Sequence, residues 1–163
     1  MKERVRLMKK KATAELPRIA VGSDHAACEV KPRLCEHLRE KGYEVVDFGT
    51  FTPDSCDYPV FADRVCSALT EGSADLGILI CGTGIGMSIA ANKHRGIIAA
   101  HCTDLFSAQM AREHNGANVI CMGARISTYE DIEKMTDVFL STSPLDEEKH
   151  IRRRAQLKAL DER

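Results

Sequence analysis

The stretch from Leu76 to Asn92 constrains the fold more than any other part of this chain. It opens with an apolar run, Leu76 to Ile80, of the kind that a parallel sheet buries on both faces. Three glycines follow at alternate positions, and the next residues can form a helix. Glycine is required where the backbone adopts a positive φ or must approach a ligand closely. The order predicts a strand, a helix start and, between them, a tight turn built by Gly82, Gly84 and Gly86.

Cys81 lies between the predicted strand and the glycine turn. A helix start presents unpaired N–H groups and a partial positive charge, so anions bind there. The same surroundings favour the thiolate, which is the nucleophilic and basic form of cysteine. The sequence therefore predicts an active site in which Cys81 faces an anion-binding cradle.

The rest of the chain alternates apolar runs with amphipathic helices. This pattern predicts a Rossmann-like, three-layer α/β/α sandwich with a five-stranded parallel sheet. Ligands bind such sheets beyond the carboxyl ends of the strands, where polar residues such as Asp24, His25 and His101 follow the predicted strands. Strands are predicted at 18–22, 44–48, 76–80, 96–101 and 118–122, and helices at 28–41, 58–71, 87–91, 103–114, 128–142 and 147–160.

The N-terminal residues, 1–16, have a different composition from the rest. They carry six basic residues but lack the apolar centre of a secretory signal. We predict that they form a disordered or loosely docked extension and that residues 17–163 form a single domain with a C-terminal helix. The basic residues are Lys2, Arg4, Arg6, Lys9, Lys10 and Lys11.

Composition excludes several classes of function. A net charge of −1 argues against nucleic acid as the main partner, and no stretch approaches the ~20 apolar residues of a membrane span. The seven cysteines are odd in number and lack a Cys-x-x-Cys pair, so reduced thiols in the cytoplasm explain them better than disulfides. The histidines lack metal-ligand spacing, so no metal is expected.

Other readings of these motifs remain open on the residues alone. A dinucleotide site fits poorly because Met87 occupies the third glycine position of G-x-G-x-x-G, so no cofactor is expected. His114 and Asn115 end a predicted helix, where they serve equally well as a cap or in catalysis. Lys149 and Arg153 lie four residues apart, which suits either a phosphate site or a solvated helix face.

Five separated motifs resemble the type B ribose-5-phosphate isomerase family, to which galactose-6-phosphate and allose-6-phosphate isomerases are related. The resemblance covers residues 18 to about 157. It is most specific in the segment that contains Cys81. The motifs are Asp24-His25-Ala26, Asp57-Tyr58-Pro59, Ile78 to Lys93, Arg112-Glu113-His114-Asn115 and Gly123-Ala124-Arg125.

The resemblance implies an aldose–ketose isomerase of the pentose phosphate pathway that needs no metal or cofactor. Cys81 would move a proton between C1 and C2 through an enediolate, and Thr83 would steady the hydroxyl proton. The N–H groups of the glycine turn would hold the enediolate oxygen. His114 would open the furanose ring, with Asn115 beside it, while Asp24 would orient the substrate and Tyr58 would line the sugar pocket.

The resemblance also implies a phosphate site and a partner. The phosphate would be bound by His25, Arg125, Lys149 and Arg153. The arginines and the lysine have no evident carboxylate partner in their own motifs. Family sites are assembled from two subunits, so a homodimer is expected, with a tetramer as the alternative. The competing functions are isomerisation of a six-carbon sugar phosphate, sugar-phosphate binding without catalysis, and dinucleotide-dependent reduction. Two departures from the family pattern stand out, Lys149 in place of arginine and Gly116 in place of a polar residue.

Overall fold

In the computed structural model, which describes residues 15–162, the chain forms a parallel sheet with strand order β2-β1-β3-β5-β4. The predicted extension, residues 1–16, lies outside the described residues except for its last two positions. β3 is the central strand, so Cys81, its last residue, lies between β1 and β5. The strands are Ile19–Ser23 (β1), Val45–Asp47 (β2), Leu76–Cys81 (β3), Ala99–His101 (β4) and Val119–Gly123 (β5).

Helices pack on both faces of the sheet, which confirms the three-layer prediction. One apolar core joins α1, α4 and α5 to the sheet, and the other joins α2 and α3 to the opposite face. Of α6, only His150 is buried. The helices within the described residues are Val30–Glu40 (α1), Tyr58–Thr70 (α2), Ile85–Ala91 (α3), Leu105–Glu113 (α4), Tyr129–Ser141 (α5) and Glu148–Leu160 (α6).

Several element boundaries differ from the sequence predictions. The helix predicted at 28–41 spans Val30–Glu40. A separate 3₁₀ turn, His25–Ala27, precedes it directly after β1, where the Asp24 side chain accepts the Ala26 N–H. β4 is shorter than predicted, since the Asn118 side chain accepts the Ile98 N–H before the strand begins. α3 begins at Ile85 rather than at residue 87, which places Gly86 inside its first turn.

Two helices start at side-chain caps. Asp104 accepts the Ser107 N–H at the start of α4, and the Ser107 side chain completes a reciprocal pair. Thr128 caps α5 by accepting the Asp131 N–H. Because α4 follows β4, it starts at the carboxyl edge of the sheet, and its 9 residues run back to the opposite edge.

Candidate active site

Cys81 lies at the carboxyl end of the central strand and is 5% exposed. The Gly84 N–H donates to its Sγ at 3.1 Å. A thiol sulfur is a weak acceptor and a thiolate a strong one, so this N–H stabilises the thiolate. The predicted juxtaposition of a thiol and the glycine turn is therefore present in the structure.

The turn at Gly84 accepts only glycine. Its φ is 81°, and a Cβ atom there would lie 2.8 Å from His101 Cδ2 and 2.8 Å from the Met122 carbonyl carbon. The His101 Nε2–H donates to the Thr83 carbonyl at 2.7 Å, which fixes the turn from the other side. Met122 is on β5, which pairs with β3, and His101 is on β4, the next strand out, so the sheet itself sets the shape of the cradle.

Tyr58 and Arg125 cover the two ends of the glycine turn. A Cβ atom on Gly86 would lie 2.8 Å from the Tyr58 ring, and one on Gly82 would lie 3.1 Å from an Arg125 guanidinium nitrogen. The Arg125 N–H also donates to the Gly82 carbonyl at 2.9 Å. Both side chains therefore reach the turn because these glycines leave room for them. Thr83, between them, is exposed.

Asp24 and His25 join the same edge from the end of β1. The Asp24 N–H donates to the Ile80 carbonyl at 3.2 Å, so this segment runs beside the last residues of β3. His25 Nδ1 accepts the Cys56 N–H at 3.3 Å. A backbone N–H can only donate, so neutral His25 carries its proton on Nε2 and can donate from there to an anion.

His114 and His150 form a second group of titratable residues. Their rings stack with centroids 4.3 Å apart and planes inclined by 10°. Burial lowers the pKa of His150, and the charges of His114 and Lys149 act in the same direction. The neutral form of His150 is thereby favoured beside His114, which ends α4.

The remaining candidates lie beside this histidine pair. Asn115 and Arg153 line a common cavity of about 580 Å³. Lys149 forms an exposed ion pair with Glu147, with Nζ and Oε2 2.9 Å apart, and the pKa of Glu147 is lowered by that hydrogen bond. The expectation that Lys149 lacks a carboxylate partner was therefore wrong, because the acidic residues before α6 were not considered as partners.

The predicted residues form two groups at opposite edges of the sheet. The Asn115 turn leads into the first residue of β5, whereas Cys81 pairs in register with Gly123, its last residue. The four residue steps from Val119 to Gly123, at roughly 3.3 Å each, separate the two groups by about 13 Å along the strand direction. One chain does not bring them together. The Cys81 edge comprises Asp24, His25, Tyr58, Cys81, Gly82, Thr83, Gly84, Gly86 and Arg125; the His114 edge comprises His114, Asn115, Lys149, His150 and Arg153.

Two contributors to the Cys81 edge were missed or misassigned on sequence. Cys56 holds His25 through a backbone group, which no side-chain pattern can reveal. His101 was placed on sequence at the carboxyl edge of the sheet, but the hydrogen bond from its ring to the Thr83 carbonyl was not predicted. Within residues 15–162, no three histidine, cysteine or acidic side chains cluster in a way that could hold a metal ion.

The sequence was then compared with known proteins. Residues 19–157 match the family model described as Ribose/Galactose Isomerase. The chain belongs to this isomerase family. Ribose-5-phosphate isomerase B of Escherichia coli is 44% identical over 125 residues, which are 77% of this chain and 84% of that protein. Galactose-6-phosphate isomerase subunit LacB of Clostridium acetobutylicum is 39% identical over 146 residues, or 88% and 82% of the two chains.

Solved structures of family members superpose on most of the chain. Type B ribose 5-phosphate isomerase of Leishmania infantum matches with a TM-score of 0.86 and 44% identity, covering 90% of this chain and 97% of that one. Ribose-5-phosphate isomerase B of Mycoplasma genitalium with bound ribulose-5-phosphate matches with a TM-score of 0.85 and 38% identity, covering 89% and 96%. The predicted family is thus confirmed. Across residues 15–162, none of the helices has the length and apolar character of a membrane span.

Proposed function

We propose that this isomerase-family chain interconverts ribose 5-phosphate and ribulose 5-phosphate through an enediolate. The observation that carries the proposal is the Gly84 N–H aimed at Cys81 Sγ, which places the thiol group beside the backbone N–H groups of the glycine turn. The name of the Escherichia coli relative and the ribulose-5-phosphate bound to the Mycoplasma genitalium structure support the five-carbon substrate.

Proton transfer is assigned to the Cys81 edge. In the open-chain aldose, the Cys81 thiolate removes the proton on C2, and the electron pair moves through C1 to the carbonyl oxygen. N–H groups of the glycine turn stabilise the resulting oxyanion. Thr83 steadies the proton that passes between the two oxygens. Cys81 then returns its proton to C1, so the reaction balances without an external oxidant or reductant.

Ring opening and phosphate binding are assigned to groups from both edges. His114 exchanges protons with the ring oxygen and the anomeric hydroxyl, and Asn115 orients the sugar. His25 and Arg125 hold the phosphate from one side, while Lys149 and Arg153 approach it from the other. Lys149 must leave Glu147 to do so, a small cost for an exposed pair.

A second copy of the chain is required for this mechanism. About 13 Å along the strand direction separates the two edges, which is beyond the reach of the side chains concerned. Apolar side chains beside the Cys81 edge support a docking surface there: Ile85, Ile89 and Phe106 are 50%, 56% and 71% exposed. We therefore propose a homodimer with two shared sites, each built from the Cys81 edge of one copy and the His114 edge of the other.

Mixing two inactive variants tests the shared site. Cys81→Ala and His114→Ala are purified separately, unfolded, combined and refolded together. Activity on cyclic ribose 5-phosphate should return to about one quarter of the wild-type rate, because about half of the dimers are mixed and each has one intact site of two. Each variant refolded alone is the control. A mixture no more active than its components would contradict the shared site.

A six-carbon sugar phosphate is the second candidate substrate, and the Clostridium acetobutylicum relative favours it. Charge on the phosphate group is the same for either substrate, so the phosphate site does not discriminate between them. Side-by-side kcat/KM values for ribose 5-phosphate, galactose 6-phosphate and allose 6-phosphate, measured without added cofactor or metal, decide between them. No turnover of any of the three would overturn the proposed chemistry.

The proposed setting is the cytoplasm, in the pentose phosphate pathway. All seven cysteines are free thiols, which suits a reducing compartment. Measuring free thiols in protein purified from its own cells under alkylating conditions tests this setting. Recovery of disulfide-linked chains would contradict it.

A further inference from the structure

Arg154 lies half-buried in the first half of α6 and has no part in the mechanism above. Its side chain passes under the turn that follows His114. A Cβ atom on Gly116 would lie 2.8 Å from Arg154 Cδ, closer than packed side chains approach. Gly116, with a φ of 61°, therefore leaves the space that Arg154 fills.

The end of Arg154 is tied to a second segment. Its Nη2 donates to the Leu145 carbonyl at 2.9 Å, and the Leu145 N–H donates to the Glu113 carbonyl at 2.9 Å. Leu145 is thus joined to α4 by one backbone group and to α6 by the other. Arg154 closes a triangle among the end of α4, the segment before α6, and α6 itself.

The groups of the His114 edge lie on two of the three segments that Arg154 connects. His114 and Asn115 occupy the turn above its side chain, and Lys149 and Arg153 occupy α6. Arg112 reinforces the arrangement by donating to the carbonyl of Thr142 at 3.2 Å. Besides Arg154, the stacked histidine rings link α6 to the turn, and the Leu145 backbone bond links the segment before α6 to the end of α4.

We propose that Arg154 is a positioning residue that sets the spacing between the ring-opening groups and the phosphate-binding cations. The inference rests on the proposed function and extends it to a residue that touches no substrate. Arg154 uses one donor nitrogen, because its buried Nη1 has no hydrogen-bond partner among residues 15–162. A lysine, which also ends in a donor, can therefore replace it in part, and a methionine cannot.

Steady-state kinetics of four proteins test the proposal: wild type, Arg154→Met, Arg154→Lys and the exposed control Arg152→Met. Arg154→Met should raise KM for ribose 5-phosphate about tenfold and lower kcat on the cyclic form by a similar factor, since misplaced groups lose both binding and orientation. Arg154→Lys should stay within about threefold of wild type on both constants. The control on the same helix should match wild type. Equal constants for Arg154→Met and wild type would overturn the proposal.

A second readout does not depend on activity. The protein has six histidines, and ¹⁵N-histidine NMR resolves their rings. Arg154→Met should shift the resonances of His114 and His150 and leave those of His25 and His101 in place. If Arg154→Met fails to fold, Arg154→Gln, whose side chain is too short to reach Leu145, takes its place. Unchanged resonances, or equal shifts at all six rings, would refute a positioning role. A wild-type protein inactive on every sugar phosphate would refute the proposed function while this measurement still tested Arg154.

Discussion

The two edges of the sheet are held in place by different means. The Cys81 edge is built on the central strand, and backbone groups of β1 and β5 bond directly to it. The His114 edge is held by arginine side chains that reach carbonyl groups of neighbouring segments. A sheet fixes atoms more rigidly than side-chain contacts do. We infer that the step needing the tightest geometry, proton transfer, is assigned to the more rigid edge.

The largest expected effect is the loss of the Cys81 thiol. Cys81→Ala should lower isomerisation about 10³-fold or more, because the proton-transferring group is removed. Binding of sugar phosphate, measured by calorimetry, should remain nearly unchanged. Cys66→Ala is the matched control, since burial raises the pKa of that thiol to about 12 and leaves it inert. An alanine variant within tenfold of wild type would mean that Cys81 is not the base.

A substitution of Lys31 tests how much a buried ion pair near the Cys81 edge contributes to stability. Its buried ammonium pairs with Asp47, which also accepts the Gly49 N–H at 2.9 Å at the start of the loop that leads to Tyr58. Lys31→Met should reduce the free energy of unfolding by about 3–5 kcal/mol, because Asp47 is left without its counter-charge.

Chemical denaturation measures this loss, and a double variant identifies its cause. Lys31→Met combined with Asp47→Leu should recover more than half of it, since no unpaired charge remains. Lys41→Met, which removes an exposed pair with Asp137, is the control and should change stability by about 0–1 kcal/mol. Equal losses in the two lysine variants would show that the buried pair anchors nothing.

One glycine with positive φ on each edge permits a direct comparison. A Cβ atom on Gly84 meets backbone at Met122, whereas one on Gly116 meets only the flexible Arg154 side chain. Gly84→Ala should destabilise the protein by about 3 kcal/mol and Gly116→Ala by about 1 kcal/mol, as strained backbone positions do. Thermal unfolding of both variants measures the difference. The reverse order would mean that the His114 edge is the more rigid one.

The smallest expected effects concern two histidines whose pKa values are shifted in opposite directions by folding. The hydrogen bond that His94 donates to the Asp63 carboxylate raises the pKa of His94, which lies just after the helix that starts at the cradle, whereas burial lowers the pKa of His150. His94 therefore adds stability that is full below about pH 6.5 and is lost as the pH rises through its folded pKa. His150 has the opposite effect on stability. Because its pKa is lowered in the folded protein, the unfolded chain binds the proton more readily, and stability falls as the pH drops below about 6.5.

Unfolding temperatures at pH 5.5 and pH 8.5 check this pair. Relative to wild type, His94→Gln should lose more stability at pH 5.5 than at pH 8.5. His150→Gln should compare better with wild type at pH 5.5 than at pH 8.5. Parallel shifts in the two variants would show that the surroundings of these histidines do not control their protonation.

Local signals were sufficient to predict the fold and the Cys81 edge. The apolar run, Cys81 and the alternating glycines are contiguous, so strand, turn and helix follow from neighbours in sequence. Helix caps such as Asp104 were predictable for the same reason. What remained out of reach depends on contacts between distant residues, such as the His25–Cys56 bond and the Arg154–Gly116 packing.

The separation of the two edges was within reach of the sequence but was not deduced. A helix that follows a parallel strand runs back along it, so the end of α4 had to lie opposite the edge where Cys81 was predicted. The family resemblance implied a dimer, and the separation of the two edges supports the proposal of a shared site. The stacking of His114 on His150 and the Lys149–Glu147 pair depend on side-chain conformations, which residue patterns do not specify.

The placement of His114 and Cys81 at opposite edges also has a consequence for mass action. In a shared-site enzyme, a lone chain holds every reacting group and still has no complete centre. Activity then scales with the concentration of associated chains, and dilution below the dissociation constant lowers the rate per chain in proportion to concentration. Substrate that bridges both copies opposes this loss, so a preparation diluted with sugar phosphate present should retain activity that the same preparation loses without it.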